Sequence, residues 1–318
     1  MAPADAGVLA LDIGGTKLSA GIGASDGEVR RQESEPTRGS DGASVVLARA
    51  VGLARRCYEA ELADGGRITA IGVSTMGYTR PTHVELAPNV PGWEDLAIGA
   101  ELAAAFPDDA IVIGNDVKLA ARAEMAWGAL RGVQEGVYLN LGTGIAAGIV
   151  SGGRLMDGAH GAAGEIGYTL HRGQAEPRMA AEGGAPLEEW FGGGGVARRL
   201  AGTQLPPTVA ELVQHADDPE ARAFLDELWT GIAVAAANLC IVADPSVLVV
   251  GGGYVRGESG LLGRVREVVG RAVPYPPEVV HARFGADASL RGAVAAAFAL
   301  TGEDDGRATG STAGVQHQ

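Results

Sequence analysis

The chain repeats one short theme a domain's length apart. Residues 8–23, VLALDIGGTKLSAGIG, run from an apolar stretch through two glycines into a second stretch in which Leu18, Ala20 and Ile22 alternate with small or polar residues. Residues 137–149, VYLNLGTGIAAGI, follow the same plan. Aligned, Leu11-Asp12-Ile13-Gly14-Gly15-Thr16 faces Leu139-Asn140-Leu141-Gly142-Thr143-Gly144, an offset of 128 residues. Strand, glycine turn, strand is a hairpin signal, and self-similarity at domain spacing points to a duplicated fold with one hairpin per half.

The segments between the hairpins alternate in type. GASVVLARAVGLARRCYEAEL carries apolar residues at helical spacing, ITAIGVSTMG reads as a buried strand, WEDLAIGAELAAAF as a helix, and AIVIGNDV as a strand running into the helix KLAARAEMAWGAL. After the second hairpin come helical segments including LDELWTGIAVAAANLCIVA, then the strand SVLVVGGGYV and a closing helix ASLRGAVAAAFAL. This β-β-α-β-α-β-α order is an α/β pattern. The length of 318 residues fits two domains rather than one.

Bulk properties exclude several classes. The formal net charge is −14 and no basic run occurs, so a nucleic-acid partner is not expected. Any anionic substrate must then be met locally, by backbone N–H groups or a metal. Cys57 and Cys240 are far apart and lack metal-ligand spacing, which fits a reducing, cytoplasmic setting. MAPADAG has no basic leader, VLALDIGG is too short for a signal core, and no apolar run reaches the roughly 18 residues of a membrane span, so no membrane partner is expected. The tail, residues 302–318, is polar and is expected to be disordered.

Three glycine clusters follow three apolar strands: Gly14-Gly15, Gly142-Thr143-Gly144 and Gly251-Gly252-Gly253. Such turns aim several N–H groups one way and make anion nests, with Thr16 and Thr143 adding hydroxyl donors. One cluster alone is more often a plain turn; a matched pair in two halves can clamp a polyphosphate. No G-x-x-x-x-G-K-[ST] occurs, and the cluster at Gly251 lacks G-x-G-x-x-G, so neither a P-loop nor dinucleotide binding is supported. Asp12, at the end of its strand, reads either as a turn-capping residue or as a Mg²⁺ ligand acting through water. Asp116, between a strand and a helix in GNDVKLA, reads as an N-cap, as a general base toward a substrate hydroxyl, or as both. LAPNVPGWEDL, with Asn89 and Trp93, reads as an interdomain connection or a carbohydrate wall. Glu165, in GAAGEIGYTL, and Glu188 are further acceptors of the kind polyols require.

Together LALDIGGTK, APNVPGW, IGNDVKLAA, NLGTGIAAGIV, GAAGEIG and DPSVLVVGGG resemble the ROK family of sugar kinases and sugar-responsive repressors, in the family's order and over roughly residues 8–300. The resemblance implies a two-lobed, actin-like (ribonuclease-H-like) α/β fold with an interlobe cleft. The lobes would be residues 1–116 and 117–288, with a closing helix at 289–300 packing back on the first. It implies ATP and Mg²⁺, transfer of the γ-phosphate to a sugar hydroxyl, Asp116 as catalytic base, and a homodimer. Asp12, Gly14, Gly15, Thr16, Lys17, Thr143 and Gly144 would meet phosphates and Mg²⁺, and Gly251 and Gly252 would flank the adenosine. Gly77, Asn89, Asn115, Asp116, Glu165, Tyr168 and Glu188 would line the sugar pocket. The repressor branch carries an N-terminal helix-turn-helix; with the first strand beginning near residue 8, a DNA-binding repressor is not expected.

Two departures from the family pattern matter. Family members typically read G-E-x-G-H where this chain has Gly164-Glu165-Ile166-Gly167-Tyr168, and C-x-C-G-x-x-G-C where it has MAAEGGAP before Leu187-Glu188. The zinc-binding histidine and thiolates are absent together, so no zinc site is expected. His160 and His171 do not replace it, and packing around Leu187, Trp190 and Phe191 is the expected substitute. Met76 stands where a proline is common. The leading expectation is a glucokinase-type enzyme acting on the 6-hydroxyl. The alternatives are a catalytically silent sugar-binding or regulatory protein, a kinase for mannose or an N-acylated amino sugar redirected by Tyr168, or another donor such as polyphosphate.

Overall fold

The computed structural model describes residues 6–79, 84–85, 90–171, 176–255 and 260–302. Asn89 and residues 303–318 of the tail lie outside them. The chain divides into two compact units. The first comprises Met1–Arg131, Gly153–Ala162 and Asp287–Gln318; the second comprises Gly132–Gly152 and Ala163–Ala286.

The first unit is built on a sheet of β1 (Gly7–Ile13), β2 (Lys17–Gly23), β3 (Val29–Pro36), β4 (Ile68–Thr75) and, after the two-residue strands β5 (Tyr78–Thr79) and β6 (Val84–Glu85), β7 (Ile111–Asn115). Its order is β3-β2-β1-β4-β7, with β1 antiparallel to β2 and parallel to β4, and β4 parallel to β7. All seven residues of β1 are buried, because both faces of the sheet are covered. Leu9, Leu11 and Ile13 point to α1 (Ala43–Ala63), whose buried Val46, Leu47, Ala50, Leu53, Ala54 and Cys57 recur at helical spacing, with α2 (Ile98–Ala105) beside it. Val8 and Ala10 point to the other face, into a core shared with Leu119 of α3 (Asp116–Trp127). Leu290, Ala293 and Val294 of the last helix, α9 (Ala288–Thr301), complete that core.

Two glycines let α9 come this close. A Cβ on Gly72 would sit 1.9 Å from the Ala293 carbonyl oxygen, and one on Gly292 would sit 1.8 Å from that of Leu119. Trp93 is fully buried, and its indole N–H donates to Thr75 Oγ1 at 3.2 Å. Its ring anchors the following part of the loop in the core.

The second unit repeats the plan. β8 (Gly136–Leu141) forms an antiparallel hairpin with β9 (Ile145–Ser151) and pairs in parallel with β11 (Val247–Gly251), which pairs in parallel with β12 (Glu278–His281). The short β10 (Arg154–Leu155), which belongs to the first unit, follows β9 in the chain after Gly152 and Gly153. The sheet is covered by α7 (Pro219–Ala243) and α8 (Leu261–Ala272), with α4 (Pro186–Phe191), α5 (Gly193–Leu200) and α6 (Val209–Gln214) completing the core. Asp218 caps α7 by accepting the N–H groups of Glu220 and Ala221, with Pro219 at the first helical position. With 25 residues and a mean hydropathy of 1.4 over its most apolar window, α7 is long and apolar enough to cross a membrane. Here Leu228, Ile232, Ala236 and Cys240 of that helix line the core of the unit.

Each sheet therefore grows as a hairpin followed by parallel strands on one side, the ribonuclease-H-like topology of actin-like folds. The repeat in the sequence is a repeat in the fold. It is not an exact copy. Ile13 pairs with Leu18 across a four-residue turn, whereas Leu141 pairs with Ile145 across three residues.

Candidate functional site

In the first unit the chemistry gathers at the ends of β1, β4 and β7. The Gly14–Lys17 turn is closed by Gly14 N–H donating to the Lys17 carbonyl at 3.1 Å. Thr37 braces it from behind, its Oγ1 donating to the Gly14 carbonyl at 2.6 Å and its N–H to the Thr16 carbonyl at 2.9 Å. Gly15 and Thr16 are exposed at the tip.

Asp12 is buried just below. Its Oδ2 accepts from Ser289 Oγ at 2.9 Å, while Oδ1 has no hydrogen-bond partner among the described residues. Burial raises the Asp12 carboxyl above its ordinary value; the Ser74 and Ser289 hydroxyls and the charge of Lys17 oppose the rise. In register with it stand Ser19 on β2, whose buried hydroxyl has no hydrogen-bond partner among the described residues, and Ser74 on β4, whose buried hydroxyl acts on the Asp12 carboxyl. A buried carboxylate oxygen with no donor costs free energy unless a cation or water meets it, so this donor set fits a hard cation such as Mg²⁺.

Asp116 is the first residue of α3, but the cap of that helix is Asn115. Asn115 Oδ1 accepts the N–H groups of Val117 at 3.0 Å and Lys118 at 3.1 Å. Its Nδ2 donates to the Gly77 carbonyl at 2.9 Å. Both ends of this side chain are thus engaged within the protein, fixing the Gly77 turn to the start of α3. Gly77 has φ +81°, a left-handed conformation that glycine adopts without penalty, and Met76 beside it is buried. Asp116 Oδ1 accepts its neighbour's N–H, Val117, at 2.8 Å, so the carboxylate is oriented from its own backbone. Lys118, one turn into the helix, donates from Nζ to the carbonyls of Gly161 at 2.5 Å and Asp157 at 3.2 Å.

In the second unit the glycine-rich segment that carries Glu165 is set by packing against β9. The Ala147 N–H of β9 donates to the Gly164 carbonyl at 2.7 Å, and a Cβ on Gly164 would lie 1.9 Å from the Ala147 carbonyl oxygen. The segment lies flat against the strand, with Glu165 half-buried at the entry to a single 3-10 turn, Ile166–Tyr168, and Tyr168 half-buried at its end. Glu188 on α4 reaches the hairpin: its Oε2 accepts the Ile145 N–H at 2.9 Å. Burial raises the Glu188 carboxyl, and the Ile145 N–H opposes the rise.

Backbone from two stretches converges on the Gly142-Thr143-Gly144 turn. Gly193 N–H donates to the Gly142 carbonyl at 2.9 Å, and a Cβ on Gly192 would come within 2.9 Å of the Thr143 carbonyl oxygen. A Cβ on Gly252 would come within 2.2 Å of the Leu141 carbonyl oxygen. Gly251 is buried beside Tyr138.

Rings cluster at the end of α4. His171 packs against Trp190 and Phe191 at centroid distances of 5.5 and 4.7 Å, and the Arg199 guanidinium lies over Trp190 at 4.5 Å. Among the described residues no group of three or more His, Cys, Asp or Glu is placed to hold a metal ion.

The structure thus joins Asn115 with Gly77 and Asp116, and Glu188 with Gly144 and Gly167. Sequence reasoning passed over Ser289, the Ile145 N–H and the Gly192-Gly193 pair. The run of glycines at 192–195 was the visible signal for the last; the other two are long-range contacts that leave no local pattern.

The family model for the ROK family matches residues 8–299. The chain belongs to the ROK family. It is 32% identical over 292 residues to the bifunctional enzyme NanE/NanK of Brucella melitensis, covering 90% of this chain and 52% of that protein. The chain therefore spans about half the length of this curated relative. Among solved structures, the ROK hexokinase of Thermus thermophilus superposes with a TM-score of 0.78 at 30% identity, covering 93% of this chain and 99% of that one. The ROK glucokinase of Streptomyces griseus, solved with glucose and AMPPNP, gives 0.75 at 25% identity, with 92% and 99% covered.

Proposed function

We propose that this ROK protein is an ATP-dependent hexose kinase of the glucokinase type, with Asp116 as the general base. The observation that carries the reading is the fixing of Asp116 at the start of α3 by the Asn115 cap and the Gly77 turn. A general base must be held at one orientation to take a proton from an attacking hydroxyl, and this carboxylate is held from its own backbone. The matched hairpins supply the second half of the argument. Gly15, Thr16 and Lys17, on the turn that Gly14 closes in the first unit, and Thr143 and Gly144 in the second, offer N–H groups and hydroxyls to phosphate oxygens. Gly251 and Gly252 are assigned to the adenosine.

Asp12, with one carboxylate oxygen unpaired, would hold Mg²⁺ through water, and the cation would neutralise charge on the phosphates. Glu165, Tyr168, Glu188, Gly77, Asn115 and Asn89 are assigned to the sugar. In the reaction the sugar hydroxyl, most simply that on C6, gives its proton to Asp116. Its oxygen then attacks the γ-phosphorus in line, and ADP leaves.

A second reading keeps the chemistry and changes the sugar. Tyr168 stands where the family typically has histidine and is half-buried beside Glu165 in sequence. Its bulk and its lack of ring nitrogens favour mannose or an N-acylated amino sugar over plain glucose. A cytoplasmic homodimer without zinc completes the proposal. A coupled ADP-release assay across hexoses and N-acylated amino sugars tests it. Release with at least one sugar supports the kinase, and the preferred sugar decides between the readings. Sugar binding without nucleotide binding in calorimetry would make the protein a sensor.

A further inference from the structure

Glu188 is expected, with the rest of the sugar-binding set, to face a polyol. Its carboxylate is also engaged, through one oxygen, with the second glycine hairpin. Oε2 accepts the Ile145 N–H at 2.9 Å, at the point where the chain leaves the turn. The same residue's carbonyl accepts the Gly192 N–H at 2.7 Å, and the next residue, Gly193, donates to the Gly142 carbonyl at 2.9 Å, where the chain enters the turn. One short stretch of α4 and α5 therefore holds both ends of the Gly142–Gly144 turn, with Thr143 exposed between them.

Glycines bring backbone close to this carboxylate on two sides. A Cβ on Gly144 would come within 2.8 Å of Glu188 Oε2. A Cβ on Gly167, in the 3-10 turn that follows Glu165, would lie 3.3 Å from the same oxygen and 3.2 Å from Glu188 Cβ. The carboxylate is wedged between the hairpin and the segment carrying Glu165 and Tyr168.

We infer that Glu188 is a positioning residue, setting the shape of the Gly142–Gly144 hairpin toward a nucleotide's phosphates and tying that hairpin to the Glu165–Tyr168 segment. The inference rests on the kinase reading for the identity of the ligand. A hairpin shaped from behind presents its N–H groups without reorganising when the anion arrives, which is where preorganised donors gain their strength. The tie also makes sugar and nucleotide share one support, so that disturbing it weakens both.

Glu188→Ala, Glu188→Gln and Gly144→Ala test this by calorimetry with AMPPNP in the absence of sugar, and by KM for ATP and for the preferred sugar. Positioning predicts that Glu188→Ala binds AMPPNP about tenfold more weakly, the loss expected for one hydrogen bond of about 1.4 kcal/mol. Glu188→Gln, whose amide oxygen still accepts from Ile145, should restore nucleotide binding while its sugar KM stays altered. Gly144→Ala should resemble Glu188→Ala in nucleotide binding, because its methyl displaces Oε2. Melting curves check that all three fold. Wild-type AMPPNP affinity in Glu188→Ala, with only the sugar KM raised, would overturn the inference and leave the kinase reading intact. A wild-type protein that binds no AMPPNP would overturn both.

Discussion

Ser289 Oγ donates to Asp12 Oδ2 at 2.9 Å, joining the first turn of the last helix to the end of the first strand across 277 residues of chain. The bond occupies one oxygen of a buried carboxylate and turns the other, unpaired, to the side of the sheet shared with Ser19 and Ser74. It also opposes the upward push that burial gives the Asp12 carboxyl.

Ser289→Ala removes that opposition. The Asp12 carboxyl then rises further, so the anion that would hold Mg²⁺ is present only at higher pH. The expected result is an acid limb of ADP release shifted to higher pH, a Mg²⁺ requirement raised severalfold, and a stability loss of about 2 kcal/mol for a hydrogen bond to a charged group. A Mg²⁺ titration at two pH values checks it; unchanged Mg²⁺ dependence would remove Ser289 from the site.

Glu61 sets a different pH dependence, remote from the chemistry. Arg30 and Arg31 hold its carboxyl below the ordinary value of 4.5, at 2.6 and 2.8 Å. A carboxyl lowered in the folded state contributes stability that is fully present above its unfolded value and is lost as pH falls through the folded one. The stability gap between the wild type and Glu61→Gln should therefore be full at pH 7 and shrink only below about 4.5. Urea melts across pH 3–7 measure it; a gap that stays constant with pH would contradict the pairing.

The ring cluster at the end of α4 makes a third prediction. Phe191 is buried against His171, and Phe191→Ala should cost about 3–5 kcal/mol by leaving a cavity. Elemental analysis should find no stoichiometric zinc, and a chelator should leave the melting temperature of the apoprotein unchanged. One zinc per chain would contradict it.

The hairpins, the helices that follow them and the α/β order were legible because each is written locally. Glycine turns interrupt alternating apolar residues, and buried positions on α1 recur at helical spacing. The family match over residues 8–299 confirms the family that the six motifs resembled. What lay beyond the sequence is what long-range packing decides. Glu188 stands next to sugar-lining residues in the motif, yet its side chain turns to a backbone N–H 43 positions away. Asn115 and Asp116 look interchangeable as caps in GNDVKLA; the choice falls to Asn115 because its amide also satisfies the Gly77 carbonyl, which a carboxylate cannot do. Trp93, exposed-looking in a proline-rich loop, is drawn inside because Thr75 satisfies its indole N–H.

The central claim is that Asp116 takes the proton from the sugar. The direct measurement is turnover of Asp116→Asn against wild type on the preferred sugar with ATP and Mg²⁺, alongside calorimetry for sugar and AMPPNP. Asparagine keeps the shape and still accepts the Val117 N–H but cannot take a proton. Turnover should fall by about 10²–10⁴-fold, the usual contribution of a general base, while both ligands bind within a few-fold of wild type. Near wild-type turnover in Asp116→Asn would contradict the mechanism.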